Sequence, residues 1–189
     1  MNLAGGQYSF AAGFFAQATN DGAFVWSDGS GTITSSTANN QFVARASGGF
    51  LLYSSTGNTG ASLAPGGGSW SSLSDRNAKE NFQAVDPQAV LAKVAALPVT
   101  TWNYKTQAPT IRHIGPMAQD FHAAFALGED DTHIPTIDEE GVALAAIQGL
   151  NQKLDEKDAE IHNLKQQNES LAQRLNKLEA MVKQLAAQK

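Results

Sequence analysis

The chain has 189 residues, a net charge of −5 and no cysteine, a length that allows one ordinary domain or two small ones. Without a block of lysines and arginines it lacks the basic surface on which nucleic-acid affinity depends, so nucleic acid is not an expected partner. The absence of cysteine excludes disulfides and a thiolate nucleophile. The sequence contains no run of about 18 apolar residues that could span a bilayer, so a membrane is not an expected partner.

Residues 1–73 are almost uncharged and rich in glycine. They contain three charged residues, Asp21, Asp28 and Arg45, and 13 of the 17 glycines. A segment of this composition buries little apolar surface within a single chain, so two alternatives are expected for it: disorder, or β-structure stacked against other chains. The alternating segments "GAFVW" and "NQFVARASGGFLLY", with turn signals at "NDG" and "SDGSG", favour β-structure. We therefore predict a glycine-rich β fibre or head segment here.

Residues 74–140 change to an α+β pattern. In "DPQAVLAKVAALP", Asp86 is a typical N-cap, a proline follows in the first turn, and Pro98 stops the helix. "VTTWNY" is typical of a strand. "PMAQDFHAAFALG" predicts a second helix from Pro116 to a C-capping Gly128. The apolar stripe of this helix is expected to face a core and consists of Met117, Phe121, Ala124 and Phe125.

Residues 141–189 carry a long heptad pattern. One helix of about 70 Å is predicted from Gly141 to Lys189, and ten of its twelve core positions are apolar. The a positions are Ile147, Leu154, Ile161, Asn168, Leu175 and Val182, and the d positions are Leu150, Lys157, Leu164, Leu171, Leu178 and Leu185. Such a seam needs partner helices, so it predicts a parallel coiled coil, although heptads alone leave two and three strands both open.

The stretch "WSSLSDRNAKENF" joins the first two regions and places Ser74 five residues before Lys79. Serine becomes a nucleophile when a base takes its proton, and a lysine can be that base if burial lowers its pKa. On a helix this spacing separates two side chains by about 140°, so the pair would meet only in a turn, in an irregular segment or between chains. The alternative is a capping serine and a surface lysine.

Four segments together resemble the intramolecular chaperone domain of phage tail spikes and fibres, the endosialidase-type auto-processing domain of peptidase family S74. They are "LSDRNAKENF", "VLAKVAALPVTTWNYK", "RHIGPMAQDFHAAF" and "DEEGVALAAIQGLNQKL", and they follow the family's order across residues 74–150. The segment before them resembles the heads of trimeric adhesins. The resemblance implies a homotrimer that folds an upstream fibre of the same chain and then releases itself.

The same resemblance implies the residues that carry the cleavage. The scissile bond would be Leu73–Ser74, with Ser74 as the nucleophile and Lys79 as the general base. His113 would support cleavage, with a purely structural role as the alternative. No cofactor or metal is expected; the acidic loop "GEDDTH", for example, lacks the spacing of a calcium-binding EF-hand.

The expected architecture is therefore mixed. It comprises a trimeric β-fibre or β-roll-like segment over 1–73, a small α+β chaperone auto-processing domain over 74–140 and a coiled-coil helix over 141–189. The expected location is a virion tail fibre or spike that folds in the host cytoplasm, with the chaperone domain released after cleavage. The alternative function is a structural trimeric stalk or adhesin module that is never cut.

Overall fold

The computed structural model describes residues 1–187 and divides into two compact units, Met1–Phe82 and a second unit that begins at Gln83. The structure is mixed, as expected, with several small sheets followed by one long helix. The last two residues of the predicted coiled-coil segment, Gln188 and Lys189, lie outside the described residues. Within residues 1–187, no helix is long and apolar enough to cross a membrane.

The first unit begins with six short strands: β1 (Leu3–Ala4), β2 (Phe10–Gly13), β3 (Ala16–Ala18), β4 (Phe24–Ser27), β5 (Thr34–Ser35) and β6 (Phe42–Arg45). They form two parallel sheets, of order β1-β3-β5 and β2-β4-β6. The chain alternates between the sheets, so each parallel connection passes through a strand of the other sheet, in the manner of a solenoid. The predicted turns at "NDG" and "SDGSG" are confirmed.

Side-chain alternation gives the sheet β2-β4-β6 two different faces. One face contributes to a small core, whose members are Ala11, Ala16, Ala18, Ala23, Val25 and Val43. The other face carries Phe10, Phe24 and Phe42, which are directly opposite one another in the parallel register. Their rings stack with centroids 4.7 and 4.9 Å apart, and all three are partly exposed. An aromatic ladder therefore lies on the outside of this sheet.

A third sheet follows in the first unit and is antiparallel. Its strands are β7 (Phe50–Tyr53), β8 (Gly60–Leu63) and β9 (Trp70–Ser72), in the order β7-β8-β9. The register places Ala61 opposite Ser72. After β9 the chain makes a single 3-10 turn over Arg76–Ala78. The sheet and this turn therefore flank residues 73–75.

The second unit contains α1 (Pro87–Ala96), β10 (Thr100–Trp102), β11 (His113–Gly115), α2 (Ala118–Phe125) and α3 (Thr136–Ala187). The predicted cap of α1 is confirmed, because the Asp86 carboxylate accepts hydrogen bonds from the backbone N–H groups of Gln88 and Ala89 at 2.9 and 3.2 Å. The predicted strand near Trp102 is also confirmed and pairs antiparallel with β11. The α1 helix packs against α3.

The helix α2 is shorter than predicted, and the predicted C-cap at Gly128 is wrong. The helix ends at Phe125, and the cap is Ala126, which has a left-handed φ of 54° and donates its N–H to the carbonyl of His122. Because the backbone reverses at Ala126, the helix ends before it reaches the glycine. Of the predicted apolar stripe, Phe121 is buried, whereas Met117 is exposed.

The helix α3 begins at Thr136, five residues before the predicted start at Gly141. Its first turn contains Asp138 and Glu139, whose carboxylates suit the positive end of a helix dipole, and their N–H groups both donate to the Pro135 carbonyl. The residues of α3 that are buried within the unit are Val142, Ala145, Ala146 and Gly149. The apolar side chains at the predicted a and d positions are instead 47–64% exposed, so one chain alone leaves the seam uncovered.

Candidate functional site

The side chains of Ser74 and Lys79 are in direct contact in the first unit. The Lys79 Nζ donates a hydrogen bond of 2.7 Å to the Ser74 Oγ. The turn between them makes this possible, because Asp75 caps it by accepting the N–H of Asn77 at 3.0 Å, and the N–H of Lys79 donates to the carbonyl of Arg76. A single capped turn thus brings together two residues that an α-helix would point apart.

This contact has the atoms of a serine–lysine pair and is open to water. Every residue from 71 to 86 is exposed in the single chain. In the observed hydrogen bond the amine is the donor, whereas a general base must accept the serine's proton through a neutral amine. The geometry therefore supplies the proximity of the two side chains that such a pair requires.

The residue before Ser74 is held by the third sheet. The N–H of Leu73 donates to the carbonyl of Gly60 at 3.2 Å, which extends the pairing of β9 with β8 by one residue. A cavity of about 330 Å³ lies beside this segment, and Ser74 is one of its lining residues. Its other lining residues are Leu51, Tyr53, Asn58, Gly60, Ala61, Ser62, Ser71, Ser72 and Leu73.

His113 lies in the second unit, on β11. Its Nε2 is hydrogen-bonded to the Oε1 of Gln107 at 2.9 Å, and its ring packs against Trp102 and Tyr104, with centroids 4.8 and 5.7 Å away. These contacts give the imidazole a structural role within its own unit. The structure brings Ser74 and Lys79 together in the first unit, and a part for His113 in cleavage stays a prediction.

The loop "GEDDTH" is organised by its own hydrogen bonds. The Oδ1 of Asp130 accepts from the Thr132 N–H at 2.6 Å and from the His133 N–H at 2.9 Å, and Asp130 also contacts the His133 ring. Contacts from Thr132, followed by those from His133, hold the pKa of the Asp130 carboxyl well below its ordinary value. Asp130 thus organises the loop, and no group of possible metal ligands is found within residues 1–187.

Residues 74–127 match a protein-family model, that of peptidase family S74, described as the chaperone of endosialidase. This segment of the chain is similar to the chaperone-of-endosialidase family. The matched segment begins at Ser74 and contains Lys79 and His113, and the resemblance seen in the sequence is thereby confirmed for this part of the chain. No curated protein and no solved structure matched the chain. The match supports an intramolecular chaperone role, and the matched family is one of self-cleaving peptidases.

Sequence reasoning missed the residues that lie beside Ser74 and the residue that is hydrogen-bonded to His113. Gly60 and Asn58 lie beside Ser74 only because β8 pairs with β9, and Gln107 reaches His113 across a loop. The available signal was the alternation of "GFLLY" and "GASL", which indicates strands but does not reveal which of them lies beside the cleavage segment.

Proposed function

We propose that the chain is a self-cleaving intramolecular chaperone that cuts itself between Leu73 and Ser74. The observation that carries the proposal is the 2.7 Å hydrogen bond between Lys79 Nζ and Ser74 Oγ at the first residue of the S74 domain. The nucleophile lies next to the bond to be cut, so each chain would act once on itself. A backbone peptide is the only substrate that this arrangement requires.

In the proposed reaction, the Ser74 Oγ attacks the carbonyl carbon of Leu73. The neutral amine of Lys79 takes the hydroxyl proton and passes it to the leaving nitrogen of Ser74, so the peptide bond breaks as an ester to Oγ forms. Water then attacks the ester, leaving a carboxylate on Leu73 and restoring the hydroxyl. Backbone N–H groups of the adjoining turn are the candidates to hold the oxyanion.

The proposed assembly is a parallel homotrimer. It is supported by the uncovered heptad seam of α3 and by the exposed phenylalanine ladder on β2-β4-β6, two apolar surfaces that matching copies would cover. The number three comes from the family resemblance. The folding client would be an upstream fibre of the same chain, on a virion tail fibre or spike.

The test of the dyad follows cleavage in four variants during cell-free synthesis. Ser74→Ala and Lys79→Ala should both leave full-length chain. Lys79→Arg separates two roles, because a guanidinium still donates a hydrogen bond but does not act as a base; it should also block cleavage. Ser69→Ala is the matched control and should be cut normally. Cleavage of Ser74→Ala at the Leu73–Ser74 bond would refute the proposal.

A non-cleaving trimeric stalk or adhesin module is the second candidate. The observation that favours it is the exposure of both Ser74 and Lys79, since a hydrated lysine is a poor base at neutral pH. In that case the contact between the two side chains would only stabilise the turn. Wild-type chain that stays intact after assembling into an oligomer would favour this candidate.

A further inference from the structure

We propose that the antiparallel sheet β7-β8-β9 positions the scissile bond, so that cleavage requires this sheet to be folded first. The inference rests on the proposed function, because it concerns the bond that is proposed to be cut there. The three strands, Phe50–Tyr53, Gly60–Leu63 and Trp70–Ser72, all lie on the amino-terminal side of that bond. The sheet therefore belongs to the amino-terminal segment, from which the chaperone domain would be cut away.

The first anchor of the scissile bond is a hydrogen bond to this sheet. The N–H of Leu73 donates to the carbonyl of Gly60 at 3.2 Å, and the preceding residue, Ser72, is paired with Ala61 in the strand register. The carbonyl to be attacked belongs to the same residue as this anchored N–H. The sheet thus holds the bond much as sheet edges hold bound peptides, in an extended conformation fixed by main-chain hydrogen bonds.

The second anchor lies immediately after the bond. Asp75 accepts the N–H of Asn77 at 3.0 Å and fixes the turn, while Lys79 holds the Ser74 hydroxyl at 2.7 Å. The carbonyl of Leu73 is therefore restrained by the sheet that precedes the bond, and the hydroxyl of Ser74 is restrained by the turn that follows it. Holding two reacting groups in this way supplies much of the rate of an intramolecular reaction, and a misplacement of 1 Å can cost about 100-fold.

Gly60 is the residue on which the first anchor depends. A Cβ at this position would lie 1.9 Å from the carbonyl oxygen of Leu52 and 3.0 Å from the Cα of Tyr53, both backbone atoms of β7. Glycine therefore allows β7 to approach β8 while the carbonyl of the same residue receives Leu73. Any larger side chain would displace the strand that carries the anchor. Gly60 is a positioning residue in this account.

The consequence is a dependence of cleavage on folding. A chain in which β8 and β9 are unpaired still has Ser74 and Lys79, but the carbonyl of Leu73 has lost its anchor. It would be cut slowly, and the chaperone domain would stay attached. Once the sheet forms, the bond is positioned and the cut follows. The sheet itself loses no strand, because Leu73 and β9 both lie in the amino-terminal segment.

The first experiment compares Gly60→Ala with the matched control Gly57→Ala. The chains are synthesised in a cell-free system, and the fraction cut is followed with time on gels. Gly60→Ala should be cut about 10–100-fold more slowly than wild type. Gly57→Ala should stay within about twofold, because its Cβ would meet only the Ser55 Oγ at an ordinary 3.7 Å.

A disulfide across β8 and β9 distinguishes loss of position from general misfolding. Ala61→Cys and Ser72→Cys replace two residues that lie opposite each other, in a chain that has no other cysteine. Because the next pair carries the Leu73–Gly60 hydrogen bond, this pair is of the close, non-hydrogen-bonded type, about 4.5 Å between Cα atoms, which a disulfide can span. With Gly60→Ala, the oxidised form should regain cleavage to within about threefold of wild type, and the reduced form should stay slow.

The outcomes decide between the two proposals. The positioning role of Gly60 would be overturned, and the dyad left intact, by either of two results. One is cleavage of Gly60→Ala at the wild-type rate, and the other is slow cleavage that the disulfide does not restore. If the wild-type chain stays uncut, the proposed function fails, and the positioning role fails with it. Slow cleavage that oxidation restores supports both.

Discussion

Replacing Gly149 with alanine tests how closely α1 is seated on α3. The new Cβ would lie 2.2 Å from the carbonyl oxygen of Pro87 and 2.6 Å from its carbon. Both are backbone atoms, so no side chain can rotate away, and the helices would have to separate by about 1 Å to regain ordinary contact. Overpacking of this kind costs about 1–3 kcal/mol.

The net effect includes the helix preference of the new residue. Alanine stabilises a helix interior by about 1 kcal/mol relative to glycine. Because the clash at Gly149 is with backbone, we take the upper end of the overpacking range and expect α1 docking to weaken by about 2 kcal/mol. Gly141→Ala is the matched control on α3, since its Cβ would have no neighbour within 4 Å. It should leave docking unchanged or slightly improved.

The assay is hydrogen exchange of the α1 backbone amides, read by mass spectrometry. A loss of about 2 kcal/mol corresponds to exchange about 30-fold faster in the Gly149→Ala protein. Both variants carry Ser74→Ala, so that cleavage cannot change the species compared, and both are measured at one chain concentration because association affects stability. Protection of α1 in Gly149→Ala that equals or exceeds the Gly141→Ala value would refute this packing argument.

Two further predictions concern assembly and pH. Leu164→Asp, at a predicted d position, should dissociate the oligomer into monomers at micromolar concentration, as measured by light scattering, because a carboxylate would replace an apolar contact in the seam. The control Gln166→Asp, outside the seam, should leave the oligomer intact. A Leu164→Asp protein that stays oligomeric would contradict the coiled coil. The hydrogen bonds from Ser30 and then Ser47 hold the pKa of Asp28 well below its ordinary value, so its stabilising effect is present above about pH 4 and is lost as pH falls. Asp28→Asn should therefore flatten the acid unfolding curve of the β segment, as followed by circular dichroism, and an unchanged curve would argue against this contribution.

The elements with local signals were predictable from the sequence. The start of α1 follows from Asp86 and the proline after it, because the cap and the first turn involve only neighbouring residues. The contact between Ser74 and Lys79 was expected only in a turn, in an irregular segment or between chains, and Asp75 supplies the cap that makes a turn. In both cases the residues that decide the structure lie within five positions of one another.

The pairing of the strands was not predictable, because it depends on contacts distant in sequence. Phe10 pairs with Phe24, 14 residues later, whereas Phe24 pairs with Phe42, 18 residues later, and no single repeat length gives both. Gly60 has no visible role until β7 is known to lie against it. The wrong C-cap of α2 has a different origin, since Ala126 adopts a conformation in which glycine is far more common.

The most direct test of self-cleavage is the intact mass of the purified wild-type protein, combined with amino-terminal sequencing of its fragments. Cleavage at Leu73–Ser74 should give a fragment of 73 residues and one of 116, which together make up the 189 residues of the chain, with the second fragment beginning at Ser74. The Ser74→Ala protein should give one full-length mass. Wild-type chain that remains at full length, or that is cut at another bond, would rule out self-cleavage at Leu73–Ser74.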